Sequence, residues 1–152
     1  MGRLGRGWLL RGLGAGAVGT LALSAMEVLR DRILGHPAPY SVDNIARRGA
    51  WQWFGLRLSR RAAHRWGLGM RWMYGPALGA LYAWARPGIA PVVRRGGLAL
   101  GGAVGGLEQL TFPLLRVTSP PRTWSRAEHG LLALQVLVFG AVTEAMLTRW
   151  QT

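Results

Sequence analysis

Apolar residues run along this chain in four long stretches, with arginine-rich and proline-containing segments between them. The stretches cover residues 12–29, 66–85, 97–115 and 130–147. Each comes close to the roughly 20 residues that an α-helix needs to cross a bilayer, at about 1.5 Å per residue. The third and fourth lack the charged stripe of a helix on a soluble protein. The pattern therefore predicts an all-α membrane protein with four transmembrane helices.

The second stretch is the weakest of these predicted spans because it contains Arg71 and Pro76. Arg71 falls in its second turn, from which a long side chain can extend to the membrane interface. Tryptophans stand near the ends of the predicted spans, as in the aromatic belts of membrane proteins. They are Trp66, Trp72, Trp84 and Trp150.

A long basic connection, residues 30–65, joins the first two predicted spans. After the prolines of "HPAPYS", Ser41 is placed to cap a short helix with Val42, Ile45 and Ala46 on one face. Arginines and tryptophans follow, a mixture that suits the headgroup region and anionic lipid. These interfacial residues are Arg47, Arg48, Trp51, Trp53, Arg60 and Arg61. An ordered loop packed on the helical bundle is the alternative.

The net charge of +13 comes from arginines, since all 19 basic residues are arginine. They bracket the apolar stretches, as Arg94, Arg95 and Arg116 do around the third, instead of covering a polar face. We therefore expect membrane lipids as partners and no nucleic acid. A soluble bundle with glycine-rich core helices is the alternative. The absence of cysteine excludes disulfides and thiolate metal sites.

The first 25 residues also resemble a secretory signal, with a basic start and an apolar middle. Leu23 departs from the small-x-small cleavage pattern, so we interpret the segment as a retained span. The distribution of arginines favours odd-numbered connections in the cytoplasm and both termini outside, although Arg3, Arg6 and Arg11 favour the reverse. The expected location is the bacterial inner membrane, with several crossings.

Two pairs of segments suggest an internal duplication. "GAVGTLALSAMEVLR" (16–30) aligns with "GAVGGLEQLTFPLLR" (102–116), and "HRWGLGMRWMYG" (64–75) aligns with "HGLLALQVLVFG" (129–140). The alignment predicts two copies of one helical hairpin, related by an axis along the membrane normal. Chance resemblance between glycine-rich segments is the alternative. The alignment places Glu27, Glu108 and Glu144 opposite non-acidic residues, so none of them is a repeated feature.

Three motifs, "GAVGTLALSAMEV", "HPAPYSVDNIARR" and "MYGPALGALYAWARP", are similar to small bacterial inner-membrane proteins of the YagU-like type, whose function is unknown. The resemblance covers roughly residues 12–86. It implies a membrane protein with several spans and contributes no catalytic residues.

Small residues recur every four positions within the predicted spans, which lets helix backbones approach closely in lipid. The predicted packing glycines are Gly12, Gly16, Gly75, Gly79, Gly97, Gly101 and Gly105. "GAGAVG" (14–19) also matches the dinucleotide-binding fingerprint, but no strand precedes it and no βα alternation follows. We therefore expect no nicotinamide or flavin site.

Three carboxylates fall within or near the predicted spans, namely Glu27, Glu108 and Glu144. Ionisable residues inside a membrane are candidate functional groups, here for a proton or cation relay. The alternative is a protonated carboxyl, or an ion pair with Arg11, Arg71 or an interfacial arginine. Glu27 and Glu144 lie near span ends, where exposure to water costs little, whereas Glu108 lies mid-span.

His64 and His129 stand at the starts of two predicted spans and are the candidate axial ligands for haem or a chlorophyll-type pigment. A role as interfacial helix-start residues is the favoured alternative. The spacing of His and Glu does not match a metal site, and no Ser–His–Asp arrangement is evident. We expect no cofactor and no enzymatic activity.

The lack of catalytic motifs, together with extensive packing glycines, predicts a structural role. We expect an accessory or scaffold subunit that packs in or beside a larger membrane complex, energy-converting complexes among them. The alternative is a small transporter, or a proton- or cation-conducting protein, that uses Glu108.

Overall fold

A computed structural model of the protein describes residues 7–150, and these residues are helical with no β-strand among them. The helices are α1 (Gly7–Leu34), α2 (Val42–Phe54), α3 (Arg60–Ala85), α4 (Pro91–Arg94), α5 (Leu98–Leu114) and α6 (Arg126–Arg149). The all-α prediction is therefore confirmed. Arg3 and Arg6, used above for the orientation, lie outside the described residues.

The four predicted spans correspond to α1, α3, α5 and α6, and three of these helices extend well beyond the apolar stretch that predicted them. Within the described residues only α1 and α6 are long and apolar enough to cross a membrane. A buried core helix or a signal sequence can have the same length and composition. Helix α5 has only 17 residues, and α3 carries several arginines. The structure therefore establishes two candidate spans.

Serine caps set where three of the helices begin. Ser41, Ser59 and Ser125 have extended backbones, and each side chain accepts a hydrogen bond from the amide three residues later. At α6 the Glu128 side chain also accepts from the Ser125 amide, which completes a capping box. These bonds satisfy first-turn amides that lack a helical partner. The short helix predicted after Ser41 is thus present as α2.

Helix α1 is central to the bundle. It packs against α3 on one side and α6 on another, while α5 packs on α6 and α2 lies on α3. Both predicted hairpins, α1 with α3 and α5 with α6, are therefore pairs of contacting helices. The buried core includes Leu100 and Val104 of α5 and Leu132, Val136 and Phe139 of α6.

Glycines allow α1 and α3 to approach at backbone distance. A Cβ atom on Gly79 would lie 2.6 Å from the Gly16 Cα, and one on Gly12 would lie 2.6 Å from the Ala80 Cα. Real Cβ atoms do not come so close, so the helices would have to separate. Gly75 faces Thr20 in the same contact. Close helix approach through small residues is the usual way that helices associate in lipid.

The contact between α5 and α6 is equally close but has a different register from the one that the duplication predicts. Gly97 and Gly101 lie against the α6 backbone, and a Cβ on Gly101 would lie 2.6 Å from the Val136 carbonyl oxygen. Gly105 faces the Val136 side chain. Gly102, which aligns with Gly16, has open space around its Cβ position. The contact is therefore made by Gly97, Gly101 and Gly105, the predicted packing glycines, and is offset by one residue from the aligned Gly102.

Candidate functional site

The four long helices surround a cleft with a volume of about 540 Å³, and residues of α2 and the preceding turn contribute to one end of it. Most of its wall is apolar, including Met70, Met73, Leu78, Val104, Phe112 and Phe139. The polar residues that line it include Arg30, Tyr40, Arg71, Tyr74, Glu108 and Gln135. The cleft therefore combines a large apolar surface with a few convergent polar groups, as ligand sites do.

Glu108 projects from α5 into this cleft. Its side chain is partly buried and forms no hydrogen bond or ion pair with any described residue. Arg71 and Tyr74, both on α3, are near enough to interact with it electrostatically. Glu108 is thus a carboxylate among apolar walls without a direct partner.

Arg71 points towards α1 and does not extend to the interface, so that prediction is wrong. Its guanidinium forms an ion pair with Glu27 and also donates to the Ser24 hydroxyl, 3.4 Å away. The Glu27 side chain is only 14% exposed. The alternative interpretation of Glu27, an ion pair with Arg71, is therefore the one that the structure shows, and the carboxylate does not depend on exposure to water.

Arg30 lies at the centre of the same network and is almost completely buried, with 1% of its side chain exposed. It pairs with Glu27 at 3.0 Å and with Asp31 at 2.7 Å. Its Nη1 atom also donates to the Gln135 side-chain oxygen at 3.1 Å. Through Arg30 and Glu27, the network connects α1 with both α3 and α6.

Tyr40 supports Arg30 from the turn between α1 and α2. The guanidinium carbon lies 5.1 Å from the centre of the Tyr40 ring, a cation–π geometry. The hydroxyl donates to the Glu128 carbonyl at 2.7 Å, and the ring contacts Trp124. Burial raises the pKa of Tyr40 to about 12, although the charge of Arg30 opposes this. The phenol therefore remains a proton donor and ties this turn to α6.

The charged residues in and beside the cleft form balanced pairs, with Glu108 as the exception. The guanidinium groups of Arg30 and Arg71 are matched by the carboxylates of Glu27 and Asp31, which pair with them directly. Among residues 7–150, no such counterpart pairs with Glu108. When it is ionised, the cleft and its surrounding network carry one excess negative charge.

Glu144 lies in a separate ion pair, outside the residues that line the cleft. Arg86 binds both of its oxygens, with Nη2 to Oε1 at 2.8 Å and Nε to Oε2 at 2.9 Å. Tyr82 also donates to Oε2. The Glu144 side chain is mostly buried, and its pairing with an arginine agrees with the alternative interpretation of this carboxylate. The structure does not bring the three candidate carboxylates into one site.

The two candidate haem ligands lie on the surface, in the first turns of α3 and α6. His64 Nδ1 lies 3.2 Å from the Asp43 carboxylate, and His129 Nδ1 lies 3.0 Å from the Ser125 carbonyl. Neither lines the cleft. The described residues contain no group of three His, Cys, Asp or Glu arranged to hold a metal ion. The placement of the two histidines gives no support to pigment binding, the less favoured interpretation of these residues.

The six predicted interfacial residues, Arg47, Arg48, Trp51, Trp53, Arg60 and Arg61, are all exposed. The first four are on α2, which packs on α3 and has Ala46 and Gly49 buried. Much of the segment is therefore a helix and not a loop, but it packs on the bundle as the alternative interpretation expects. Arg57 covers the Trp51 ring at 5.1 Å. Contact with lipid stays a prediction.

Sequence reasoning missed Arg30, Gln135, Arg86 and Tyr82 as members of these polar clusters. Two local signals were available. Glu27 and Arg30 are three residues apart on one helix, a spacing at which side chains meet. Gln135 is an isolated amide in the apolar part of α6. Their partners on other helices carry no local signal.

No family model, no curated protein and no solved structure matches this chain. The resemblance to YagU-like proteins therefore stays a prediction.

Proposed function

We propose that this chain is an integral protein of the bacterial inner membrane that crosses the bilayer with α1, α3, α5 and α6. The large apolar surface of the bundle supports this. Only 28% and 39% of the most apolar stretches of α1 and α6 are buried, whereas a soluble core helix is mostly buried. Large exposed side chains on the four helices include Leu10, Leu21, Met73, Leu110, Leu114 and Leu134. Apolar surface of this extent is typical of contact with lipid or partners.

The packing of the weaker helices also supports four crossings. Helix α3 is joined to α1 by glycine contacts, and the charge of Arg71 on α3 is paired with Glu27. Helix α5 is about 26 Å long at 1.5 Å per residue, close to the hydrocarbon thickness of about 30 Å. The exposed Trp66 and Trp84 on α3 are of the type that lies at membrane interfaces.

The position of α1 supports its retention in the mature protein. It contacts both α3 and α6, and its Arg30 binds Gln135 of α6. Removal of α1 as a signal peptide would take away the centre of the bundle. We therefore propose α1 as a span and not as a leader.

The natural chain has no cysteine, so single cysteines can report the topology directly. We would introduce Arg57→Cys, Gly88→Cys and Arg122→Cys separately and label intact and permeabilised cells with a membrane-impermeant maleimide. Four crossings place positions 57 and 122 on one side and position 88 on the other. If only α1 and α6 cross, all three positions share a side, and the four-span proposal is wrong.

We infer that the cleft binds a solute and that the protein acts as a small transporter or cation-conducting protein. The observation that carries this inference is Glu108, an unpaired carboxylate in an apolar cleft between the proposed spans. The test is proton and solute flux in proteoliposomes. Glu108→Gln should abolish flux, while Asp43→Asn, which removes a surface carboxylate, should not. Equal flux in the Glu108→Gln and unmodified proteins would contradict the proposal.

An accessory role in a larger membrane complex is the second candidate, and the outer face of α5 favours it. Gly102 and Gly106 are one helical turn apart, and both have open space around their Cβ positions. Such a face allows a helix of another subunit to approach closely. Co-purification of a specific membrane partner in mild detergent, lost in Gly106→Leu, would support this role. A single monodisperse monomer would count against it.

A further inference from the structure

The walls beside Glu108 are rich in groups that favour organic cations. Tyr74 and Phe112 line the cleft together with Phe139, and Met70 and Met73 add polarisable thioethers. Aromatic faces attract cations through their negative quadrupole, and the attraction is stronger where water is excluded. Methionine adapts to ligands of different shape. An apolar molecule with a positive charge therefore finds suitable contacts here.

The balance of charges around the cleft indicates a ligand with a single positive charge. On α1, Arg30 is paired with Glu27 and Asp31, and on α3, Arg71 is paired with Glu27. The polar groups that line the cleft from the other elements are neutral, namely Gln135 on α6 and Tyr40 before α2. One monovalent cation would neutralise the remaining charge on Glu108. An anion would add to that charge.

We propose that the cleft is a binding site for one lipophilic monocation, such as an organic ammonium or phosphonium ion, whose charge lies against Glu108. The site rests on the proposed membrane function. Its volume of about 540 Å³ suits an organic ligand, since ligand pockets span about 300–1,000 Å³. A proton on Glu108 competes with the cation for the same charge. Binding of the cation to the protonated site therefore releases one proton from the Glu108 carboxyl to water.

The test is equilibrium binding of tetraphenylphosphonium to the purified full chain in detergent, at about pH 8 and about pH 5. We expect one saturable site, with weaker binding at the lower pH. Glu108→Gln removes the charge that faces the cation and should weaken binding at least about tenfold, which corresponds to a loss of about 1.4 kcal/mol in binding free energy. It should also remove the pH dependence. Asp43→Asn is the matched control and should bind like the unmodified protein.

A neutral probe of similar shape, triphenylphosphine oxide, separates charge recognition from apolar fit. Its binding should not depend on Glu108. Ala77→Trp narrows the cleft without changing its charge and should weaken binding of both probes. Size-exclusion chromatography shows whether Glu108→Gln is folded. If it is not, Ala77→Trp still tests whether the probes bind in the cleft, and the comparison of the two probes on the unmodified protein still tests charge recognition.

Three results would overturn the proposal. One is equal affinity of the Glu108→Gln and unmodified proteins for tetraphenylphosphonium. Another is equal affinity of the unmodified protein for the charged and neutral probes. The third is an absence of saturable binding, as expected if lipid chains fill the cleft. A failed topology experiment would instead overturn the four-span proposal, whatever the binding result, so the two failures are distinguishable.

Discussion

Arg71 and Arg30 are buried inside the bundle, where carboxylates instead of water neutralise their charges. Both contact Glu27, and Arg30 adds Asp31 and Gln135 as acceptors. A buried charge that keeps its partners is tolerated, whereas the same charge without a partner is strongly destabilising. At the residue scale, these ion pairs explain how arginines can stand within apolar helices.

Glu27→Ala should be severely destabilising because it leaves Arg71 buried without its carboxylate. We expect a loss of about 3 kcal/mol in the free energy of unfolding, the lower end of the range for broken buried pairs. Thermal unfolding in detergent, followed by circular dichroism, measures the loss.

Two further variants check the cause of that loss. The double variant Glu27→Gln, Arg71→Met should be more stable than Glu27→Ala, because no unpaired charge remains on α3. Asp43→Asn breaks the exposed pair with His64 and should cost less than about 1 kcal/mol. Equal losses in Glu27→Ala and Asp43→Asn would show that burial of the pair is unimportant.

At the scale of elements, the glycine contacts determine which helix faces meet. Gly16 and Gly79 bring the α1 and α3 backbones together, and Gly101 does the same for α5 against α6. Gly102 is next to Gly101 in sequence but faces open space. The register of α5 is thus decided by a single residue position.

Gly101→Ala and Gly102→Ala form a matched pair that tests this register. Gly101→Ala should lower the thermal unfolding midpoint, because its Cβ would lie 2.6 Å from the Val136 carbonyl oxygen. Gly102→Ala should be neutral or stabilising by up to about 1 kcal/mol, since alanine favours the helix. A larger fall in the unfolding midpoint for Gly102→Ala than for Gly101→Ala would contradict this contact and would mean that Gly102 faces α6.

The exposed arginines and tryptophans of α2 and the start of α3 should bind anionic lipid. We expect phosphatidylglycerol to raise the unfolding midpoint of the detergent-solubilised protein. The effect should fall in the combined variant Arg47→Gln, Arg48→Gln, Arg60→Gln, Arg61→Gln, since each basic residue near an anionic surface contributes about 1 kcal/mol. Arg122→Gln with Arg126→Gln is the control at another surface. An unchanged lipid effect in the fourfold variant would argue against an interfacial role for this segment.

At the scale of the whole molecule, a net charge of +13 coexists with an extensive apolar surface. The long helices expose leucine, methionine and tryptophan, while α2 and the segment after it expose arginine. On α2 and the segment after it, exposed arginines stand beside exposed Trp51, Trp53 and Phe54, a mixture that suits a membrane interface. A nucleic-acid binder would instead show a broad basic face.

The protein should therefore stay in the membrane fraction after washes with high salt and with alkaline carbonate, and should require detergent for release. Lipid contact of the apolar helices does not depend on ionic strength, whereas contacts made only by arginine do. Immunoblotting of pellet and supernatant measures the distribution. Release by salt alone would indicate a peripheral or nucleic-acid-binding protein.

The sequence by itself determined the helices and the glycines that pack them. Apolar runs, prolines and the Ser41 cap act within a few residues, so they identify α1, α2, α3, α5 and α6 without knowledge of any partner, although α3 and α6 begin earlier than the apolar runs indicated. It also singled out Glu108 as an unusual carboxylate. Its errors concern residues whose environment depends on another helix, such as Arg71, which pairs with Glu27 of α1.

Only the tertiary structure decided which charges meet and where the cleft lies. Glu27 reaches Arg71 and Glu144 reaches Arg86 across long sequence separations, and Glu108 is left without a direct partner. These outcomes depend on the rotation of each helix about its axis. A shift of one residue turns a side chain by about 100°, which is enough to move it from an interface to open surface. The sequence identifies the glycines at which helix backbones meet, but which glycine on another helix each one meets is decided only by the folded bundle.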